Sequence, residues 1–295
     1  MNDAVRAEFT GSEGNRLVGD IREAERPLGV ALLMHGGGQT RHAWDATAER
    51  LAAQGITSIT LDARGHGQSE WVASKAYAFR YIASDLAEVV AQVRSRFGEK
   101  PVLIGASMGG LAAMLVCETY APDLFRALVL VDITPQMEQS GVDRILGFMA
   151  ERSAEGFASV EEAAEAIAAY LPDRARPRSL DGLSKNLRLR DDGRWYWHWD
   201  PAFVAGPEPI ESEAGDYGER LTEGLRRARM PILLVRGSRS ELVSERAVQT
   251  FLETVPHARF ADVAGAGHMV AGDRNDVFAE AVIDFLERDV FAPSG

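Results

Sequence analysis

Short apolar runs that alternate with helical segments are the feature that most limits how this chain can fold. Strands are predicted over Val30 to Met34, Ile56 to Leu61, Val102 to Ile104 and Ala127 to Val131. A continuous apolar run such as Val30 to Met34 is typical of a strand buried on both faces of a parallel sheet. Between the strand predicted over Ile56 to Leu61 and the one over Val102 to Ile104, apolar residues recur at three- and four-residue intervals up to Gly98. This spacing predicts an amphipathic helix that ends at Gly98. This alternation indicates an α/β fold with helices on both faces of the sheet.

The alternation stops after Asp132 and resumes at a strand over Ile232 to Val235. Residues 135 to 228 carry no strong strand signal, although Val160 to Leu171 reads as an alanine-rich helix. We therefore interpret residues 135 to 228 as an insertion into one sheet domain. The two parts of that domain are residues 1 to 134 and 229 to 295.

Composition narrows the possible partners and the cellular compartment. The chain has 295 residues, 32 basic and 44 acidic, and its net charge of −12 argues against a nucleic-acid partner. The arginines of residues 174 to 178 are interpreted as a solvated turn. The single Cys117 excludes an intrachain disulfide, and no apolar run is long enough to span a bilayer. Because the first twenty residues also lack an apolar signal core, we expect a cytoplasmic protein with no membrane partner, as a monomer or homodimer.

The strongest local motif is Gly105-Ala106-Ser107-Met108-Gly109, which follows one predicted strand and opens a helix. A sharp strand-to-helix turn needs small neighbours and presents its central side chain above the sheet edge. The helix N-terminus behind that side chain favours developing negative charge. We therefore predict that Ser107 is a catalytic nucleophile.

A serine needs a base to accept its proton, and the base needs an acid to orient it. His268 is the predicted base, because its glycine-rich loop lies between the last strand and the last helix. Two acids follow predicted strands: Glu241 comes after Ile232 to Val235, and Asp132 comes directly after Ala127 to Val131. Both lie where active sites form in open α/β sheets. Glu241 is the preferred prediction, and Asp132 remains the alternative.

His35-Gly36-Gly37-Gly38 follows the first central strand. Glycines let backbone N–H groups approach a substrate oxygen, so Gly37 and Met108 are predicted to form an oxyanion hole, with Gly36 and Gly38 beside the substrate. No lysine-serine or lysine-threonine pair follows these glycines, and no set of histidines and cysteines has zinc-ligand spacing. We therefore expect neither a cofactor nor a metal.

Aromatic residues concentrate in Trp195-Tyr196-Trp197-His198-Trp199. Indoles combine a large apolar area with one polar group, so Trp195, Trp197, His198 and Trp199 are candidates for a pocket wall over the nucleophile. A small core within the insertion is the alternative interpretation. A second motif, Asp62-Ala63-Arg64-Gly65-His66-Gly67-Gln68-Ser69, is expected to be a scaffold in which Asp62 and Arg64 fix a tight loop.

The glycine loop, the Asp-x-Arg-Gly-His-Gly-x-Ser turn, the serine elbow, the strand-end acid and the late histidine occur here in one order, which resembles the α/β-hydrolase superfamily. The resemblance implies a mostly parallel, eight-stranded sheet with a helical cap inserted after strand six, over residues 135 to 228. It also implies Ser107 as nucleophile, His268 as base and Glu241 as the acid after strand seven, where most relatives carry Asp. Related dehalogenases and epoxide hydrolases use an aspartate nucleophile, so Ser107 argues against both.

These residues predict a serine hydrolase that acts on a small-molecule carboxylic ester, lactone or thioester through an acyl-enzyme. Hydrolytic cleavage of a C–C bond and cofactor-free perhydrolysis are alternatives that use the same groups. A ligand receptor with a vestigial triad is the non-enzymatic alternative.

Overall fold

The computed structural model describes residues 3–172, 180–184, 186–212, 217–273 and 275–292. The turn expected over residues 174–178 lies outside this part of the chain. Ten strands are present in it. They are β1 (Val5–Thr10), β2 (Arg16–Arg22), β3 (Gly29–Met34), β4 (Ile56–Leu61), β5 (Val102–Ala106), β6 (Ala127–Val131), β7 (Leu187–Leu189), β8 (Trp195–Trp197), β9 (Ile232–Gly237) and β10 (Ala258–Val263).

Eight of these strands form one sheet in the order β1-β2-β4-β3-β5-β6-β9-β10. The contacts of β2 with β1 and with β4 are antiparallel, and every other pairing in this sheet is parallel. The predicted eight-stranded, mostly parallel sheet is therefore confirmed. Its carboxyl edge brings together the loops that follow β3, β5, β6, β9 and β10.

Helices pack on both faces of the sheet, as the alternation predicted. Side chains of β5 show the division. Leu103 packs with the helices over Phe79–Phe97 and Met108–Thr119, whereas Val102 and Ile104 face the side of the helices over Asp45–Ala53 and Asn275–Phe285. In the described ranges, no helix combines the length and apolar character needed to cross a membrane. The helices are α1 (Asp45–Ala53), α2 (Phe79–Phe97), α3 (Met108–Thr119), α4 (Gln139–Ala150), α5 (Val160–Tyr170), α6 (Asp181–Ser184), α7 (Ala202–Ala205), α8 (Tyr217–Arg227), α9 (Glu245–Thr254), α10 (Val270–Asp273) and α11 (Asn275–Phe285), with a 3₁₀ turn at Arg41–Trp44 and a π turn at Leu286–Val290.

Local sequence signals set the ends of several helices. Gly98 ends α2 in the left-handed region at φ 77°, a conformation that glycine adopts without steric cost. At the start of α9, the hydroxyl of Ser244 accepts a hydrogen bond of 3.3 Å from the N–H of Ala247. This side chain satisfies one of the backbone donors that a helix leaves free at its first turn.

Residues 135–228, called the inserted segment below, connect β6 to β9. They contain α4 to α8 and also a small antiparallel sheet, in which Leu187 of β7 pairs with Trp197 of β8. The two short strands of this sheet are not predicted from the sequence, in which the segment carries no strong strand signal. Aromatic residues alternate along β8, and such residues favour a pleated, half-buried surface. The turn between the two strands uses Gly193 at φ 76°.

Candidate active site

Ser107 occupies a strained turn between β5 and α3. Its φ of 45° and ψ of −112° lie outside the regions that L-residues ordinarily adopt. A Cβ atom on Gly105 would come within 2.7 Å of the Gly109 backbone, and one on Gly109 would come within 2.6 Å of Met34. The N–H of Ser107 donates to the carbonyl of Val131 at 3.1 Å, which ties the turn to the end of β6. The glycines are thus required by close backbone approaches, and the turn leaves the half-buried Ser107 at the carboxyl edge of the sheet.

The carboxylate of Asp132 is fully buried directly after β6 and accepts three hydrogen bonds. Oδ1 accepts from the N–H of Gly237 at 3.0 Å. Oδ2 accepts from the hydroxyl of Ser240 at 2.6 Å and from Nδ1 of His268 at 2.7 Å. Since a carboxylate only accepts, the hydrogen on the His268 ring lies on Nδ1, and Nε2 is left with its lone pair. This is the tautomer that a general base requires.

The structure contradicts the prediction that Glu241 is the acid beside His268. The carboxylate of Glu241 is 61% exposed and forms an ion pair with Arg144 of α4. The hydroxyl of Ser240, one residue earlier in the same loop, donates to Asp132 instead. Because β6 lies between β5 and β9 in the sheet, the end of β6 is closer to the serine turn than the end of β9. The alternative acid, Asp132, therefore occupies the position predicted for Glu241.

Ser107 and His268 line the same cavity, as the sequence predicted. His268 reaches it from the loop between β10 and α10, and its side chain is 24% exposed. In the described part of the chain, no hydrogen bond joins the Ser107 hydroxyl to the His268 ring. Catalytic hydrogen bonds often form only when substrate is bound, so this open arrangement is compatible with a nucleophile and its base.

The three glycines after β3 differ in what their N–H groups bind. The N–H of Gly36 donates to Oε1 of Gln39 at 3.0 Å, and that of Gly38 donates to Nε2 of His66 at 3.1 Å. Among the described residues, the N–H groups of Gly37 and of Met108 have no hydrogen-bond partner. These are the two donors that the sequence predicted for an oxyanion hole. All three glycines and Met108 line the cavity that contains Ser107.

That cavity has a volume of about 570 Å³, and the inserted segment forms much of its wall. Trp197 and Trp199 stack there with their ring centroids 4.9 Å apart. Trp195 and His198, also predicted for the wall, do not line it. Trp195 instead pairs with Phe157, and His198 turns to the other side, since neighbouring side chains of an extended chain alternate. The other apolar lining residues include Leu111, Val142, Ile145, Leu146, Phe148, Met149, Ile167, Phe203 and Ile210.

The Asp62-to-Ser69 turn supports the site from below. Asp62 accepts hydrogen bonds from the N–H of Arg41 at 2.7 Å and from its guanidinium at 2.6 Å. Arg64 binds the carboxylate of Asp85 through two nitrogens, at 2.7 and 2.6 Å. Both side chains are buried, so these charged pairs fix the loop, as expected for a scaffold. The described residues contain no group of three or more His, Cys, Asp or Glu side chains placed to hold a metal ion.

A strained serine turn, a histidine held by a buried carboxylate and two free N–H donors at the edge of one parallel sheet define a class of hydrolytic enzymes. The family described as the alpha/beta hydrolase fold matches residues 30–274, and the chain belongs to that family. The predicted fold class and the prediction of a hydrolase are confirmed.

Two of the proteins to which the chain is similar are bacterial hydrolases. The esterase Rv0045c of Mycobacterium tuberculosis is 28% identical over 266 residues, which cover 87% of this chain and 82% of that protein. The 3-hydroxybutyrate-oligomer hydrolase of Cupriavidus necator is 26% identical over 246 residues, which cover 81% and 82%. A solved structure of the M. tuberculosis esterase has a TM-score of 0.75 at 26% identity, covering 97% of this chain and 92% of that one.

Three residues at this site, Ser240, His66 and His198, make contacts that the sequence does not predict. Ser240 lies in the loop that the sequence predicts to supply the acid, but it is the neighbouring Glu241 that carries the carboxylate. His66 was assigned only to a scaffold motif, and His198 was assigned to the wrong wall. The contacts of the two histidines with Gly38 span 28 and 160 positions, so no local pattern predicts them.

Proposed function

We propose that the protein hydrolyses a small carboxylic ester, lactone or thioester with Ser107 as nucleophile, His268 as base and Asp132 as acid. The observation that carries the proposal is the 2.7 Å hydrogen bond between Nδ1 of His268 and the buried Asp132 carboxylate, beside the serine turn. The choice of ester bonds is supported by the similarity to an esterase, which covers 87% of this chain.

The reaction follows from where the groups lie. Ser107 Oγ attacks the carbonyl carbon and gives its proton to Nε2 of His268, while Asp132 stabilises the resulting imidazolium. The carbonyl π electrons move onto oxygen, which accepts hydrogen bonds from the N–H groups of Gly37 and Met108. The intermediate collapses, the C–O or C–S bond to the leaving group breaks, and His268 returns the proton to that group. Water then repeats the sequence on the acyl-enzyme and releases the acid.

The cavity supports a substrate with an apolar part near the reacting carbonyl. Its wall is built mainly from aliphatic and aromatic side chains, with the stacked pair Trp197 and Trp199 close to the glycine loop. A volume of about 570 Å³ lies within the range of small-molecule sites. Burial of an apolar acyl or alcohol group in this cavity favours binding by about 25 cal/mol per Å² of apolar surface removed from water.

Substitution of Ser107 by Ala tests the proposal. We expect turnover of a p-nitrophenyl ester to fall by about 10⁴-fold or more, because no hydroxyl remains to form the acyl-enzyme. Labelling of the wild type by a fluorophosphonate should occur on Ser107 and be absent from the variant. Circular dichroism and thermal unfolding verify that the variant is folded. Undiminished turnover in folded S107A would end the proposal, whereas wild-type labelling with no turnover on a panel of esters would favour the receptor alternative.

A further inference from the structure

Gly38 is held by two imidazoles, one at each of its backbone polar groups. Its N–H donates to Nε2 of His66 at 3.1 Å, and its carbonyl faces Nε2 of His198 at 3.2 Å. His66 belongs to the loop after β4, whereas His198 belongs to the inserted segment. Both rings are at least 99% buried. The same glycine therefore contacts both the loop after β4 and the inserted segment.

The second nitrogen of each ring fixes which nitrogen carries hydrogen. Nδ1 of His66 faces the carbonyl of Arg64 at 3.0 Å and must donate, so Nε2 is free to accept from Gly38. Nδ1 of His198 accepts from the N–H of Gly67 at 2.7 Å, so Nε2 carries hydrogen and donates to Gly38. Both rings must be neutral to keep these contacts. Since every ring nitrogen is engaged with the backbone, neither histidine is available to a metal.

The surroundings favour these neutral forms. Burial lowers the pKa of His198 to about 3 and lowers the pKa of His66 well below its ordinary value. The rings of His35 and His198 lie 5.2 and 5.7 Å from that of His66, and like charges at these distances would repel. Arg188 opposes a positive charge on either ring. Asp62, the acidic group that faces His198, is neutralised by Arg41.

As a result, two of the three backbone N–H groups in the glycine loop already have hydrogen-bond partners. His66 takes the N–H of Gly38, and Gln39 takes the N–H of Gly36. In the described part of the chain, the N–H of Gly37 alone among the three remains without a partner. Both peptide planes that meet at Gly37 are held. The plane that carries its N–H also carries the carbonyl of Gly36, which accepts from the N–H of Gln39 at 3.1 Å, and the plane on its other side carries the N–H of Gly38, which donates to His66.

We propose that His66 and His198 are positioning residues that aim the N–H of Gly37 at the oxyanion. The inference rests on the proposed function, since it assigns a task to the loop only if an oxyanion forms there. It also gives the inserted segment a catalytic consequence. Through the contact of His198 with the carbonyl of Gly38, that segment takes part in holding the loop.

Paired substitutions test the roles of the two rings. Glutamine offers an amide oxygen that accepts in place of Nε2 of His66 and an amide N–H that donates in place of Nε2 of His198. Leucine fills similar space with neither group. We expect H66L and H198L each to lower kcat on a p-nitrophenyl ester by about 10- to 100-fold with KM changed less than threefold, because a displaced donor weakens mainly the transition state. We expect H66Q and H198Q to recover most of the loss.

Inhibitor binding separates positioning from a merely structural role. A boronic acid forms a tetrahedral serine adduct whose oxygen occupies the oxyanion hole, so its affinity should fall in the leucine variants in parallel with kcat. A ketone analogue that binds without forming an adduct should keep its affinity. Equal kcat in leucine and glutamine variants that fold, or equal loss of affinity for both inhibitors, would overturn the proposal.

A measurement on the wild type keeps the test decisive if the leucine variants do not fold. In protein labelled with ¹⁵N-histidine at pH 6, the ring shifts should show His66 neutral with hydrogen on Nδ1, and His198 neutral with hydrogen on Nε2. A charged ring, or the opposite tautomer, would refute the inference while leaving Ser107-dependent turnover intact. Wild type that lacks such turnover would instead refute the proposed function.

Discussion

Substitution of Asp132 by Asn tests the proposed acid at the level of single hydrogen atoms. The backbone N–H of Gly237 can only donate, so the amide oxygen of the new side chain must take the Oδ1 position. The amide NH₂ then takes the Oδ2 position, which faces Nδ1 of His268 and the Ser240 hydroxyl. The hydroxyl can rotate and accept, but the ring must also accept at Nδ1. Its hydrogen therefore moves to Nε2, where it blocks proton transfer from Ser107.

The expected loss follows from this reversed tautomer and from the missing negative charge. An equivalent acid-to-amide change in a serine triad lowers kcat by about 10⁴-fold, which is about 5 kcal/mol in the activation free energy. The shape of the site is preserved, because Asn and Asp are nearly isosteric. We therefore expect kcat for a p-nitrophenyl ester to fall by about 10³- to 10⁴-fold, while KM stays within about threefold.

The matched control is Glu241→Gln, which removes a carboxylate from the loop where the sequence placed the acid. Its exposed ion pair with Arg144 contributes no more than about 1 kcal/mol to stability, so kcat should stay within about twofold of wild type. Initial rates at pH 8, with unfolding midpoints in urea for each variant, provide the comparison. A folded D132N enzyme of normal kcat, or an E241Q enzyme as impaired as expected for D132N, would refute the assignment.

Four further outcomes are expected. Gly109→Ala should lower the free energy of unfolding by about 1–3 kcal/mol in urea titrations, since its Cβ would lie 2.6 Å from Met34; an unchanged midpoint would contradict this. Trp199→Phe should raise the ratio of kcat/KM for decanoate over acetate esters by several fold, because the smaller ring enlarges the cavity and leaves room for a longer acyl chain. Burial raises the pKa of Cys117 to about 12, so a disulfide reagent should label it in urea but not in the native protein. The pKa of His198 is lowered on folding to about 3, so the unfolded chain binds its proton first as pH falls below about 6.5. Native stability from this group is thus present above pH 6.5 and declines by about 1.4 kcal/mol per pH unit below it. A His198→Gln variant should lose less stability than wild type between pH 7 and pH 5.

The sequence predicted the sheet well because strand identity here depends on local composition. Ala127–Val131 is a continuous apolar run and Ile56–Leu61 is rich in β-branched residues, and the observed bounds of both strands equal the predicted ones. Burial on both faces favours apolar side chains and β-branched residues favour strands, so such segments are visible without any knowledge of their neighbours. β7 was missed because its three residues contain Arg188 and show no comparable run.

The choice between the two acids depended on information that is not local. Glu241 and Asp132 both follow strands that end at the same sheet edge, so sequence position alone favours neither. The outcome depends on backbone direction: Asp132 adopts a φ of 52°, and its side chain enters the space between β6 and β9. Glu241 instead meets Arg144 from the inserted segment. Such contacts join residues about a hundred positions apart, beyond the reach of pattern analysis.

The meeting of Ser240 and His268 on one oxygen of Asp132 has a consequence for how such sites can diverge. Side chains from two adjacent strand ends already reach the same point beside the ring. A lineage can therefore transfer the negative charge from one strand to the other by two substitutions, without relocating the base. In that sense the histidine is anchored by a place in the sheet rather than by one particular residue.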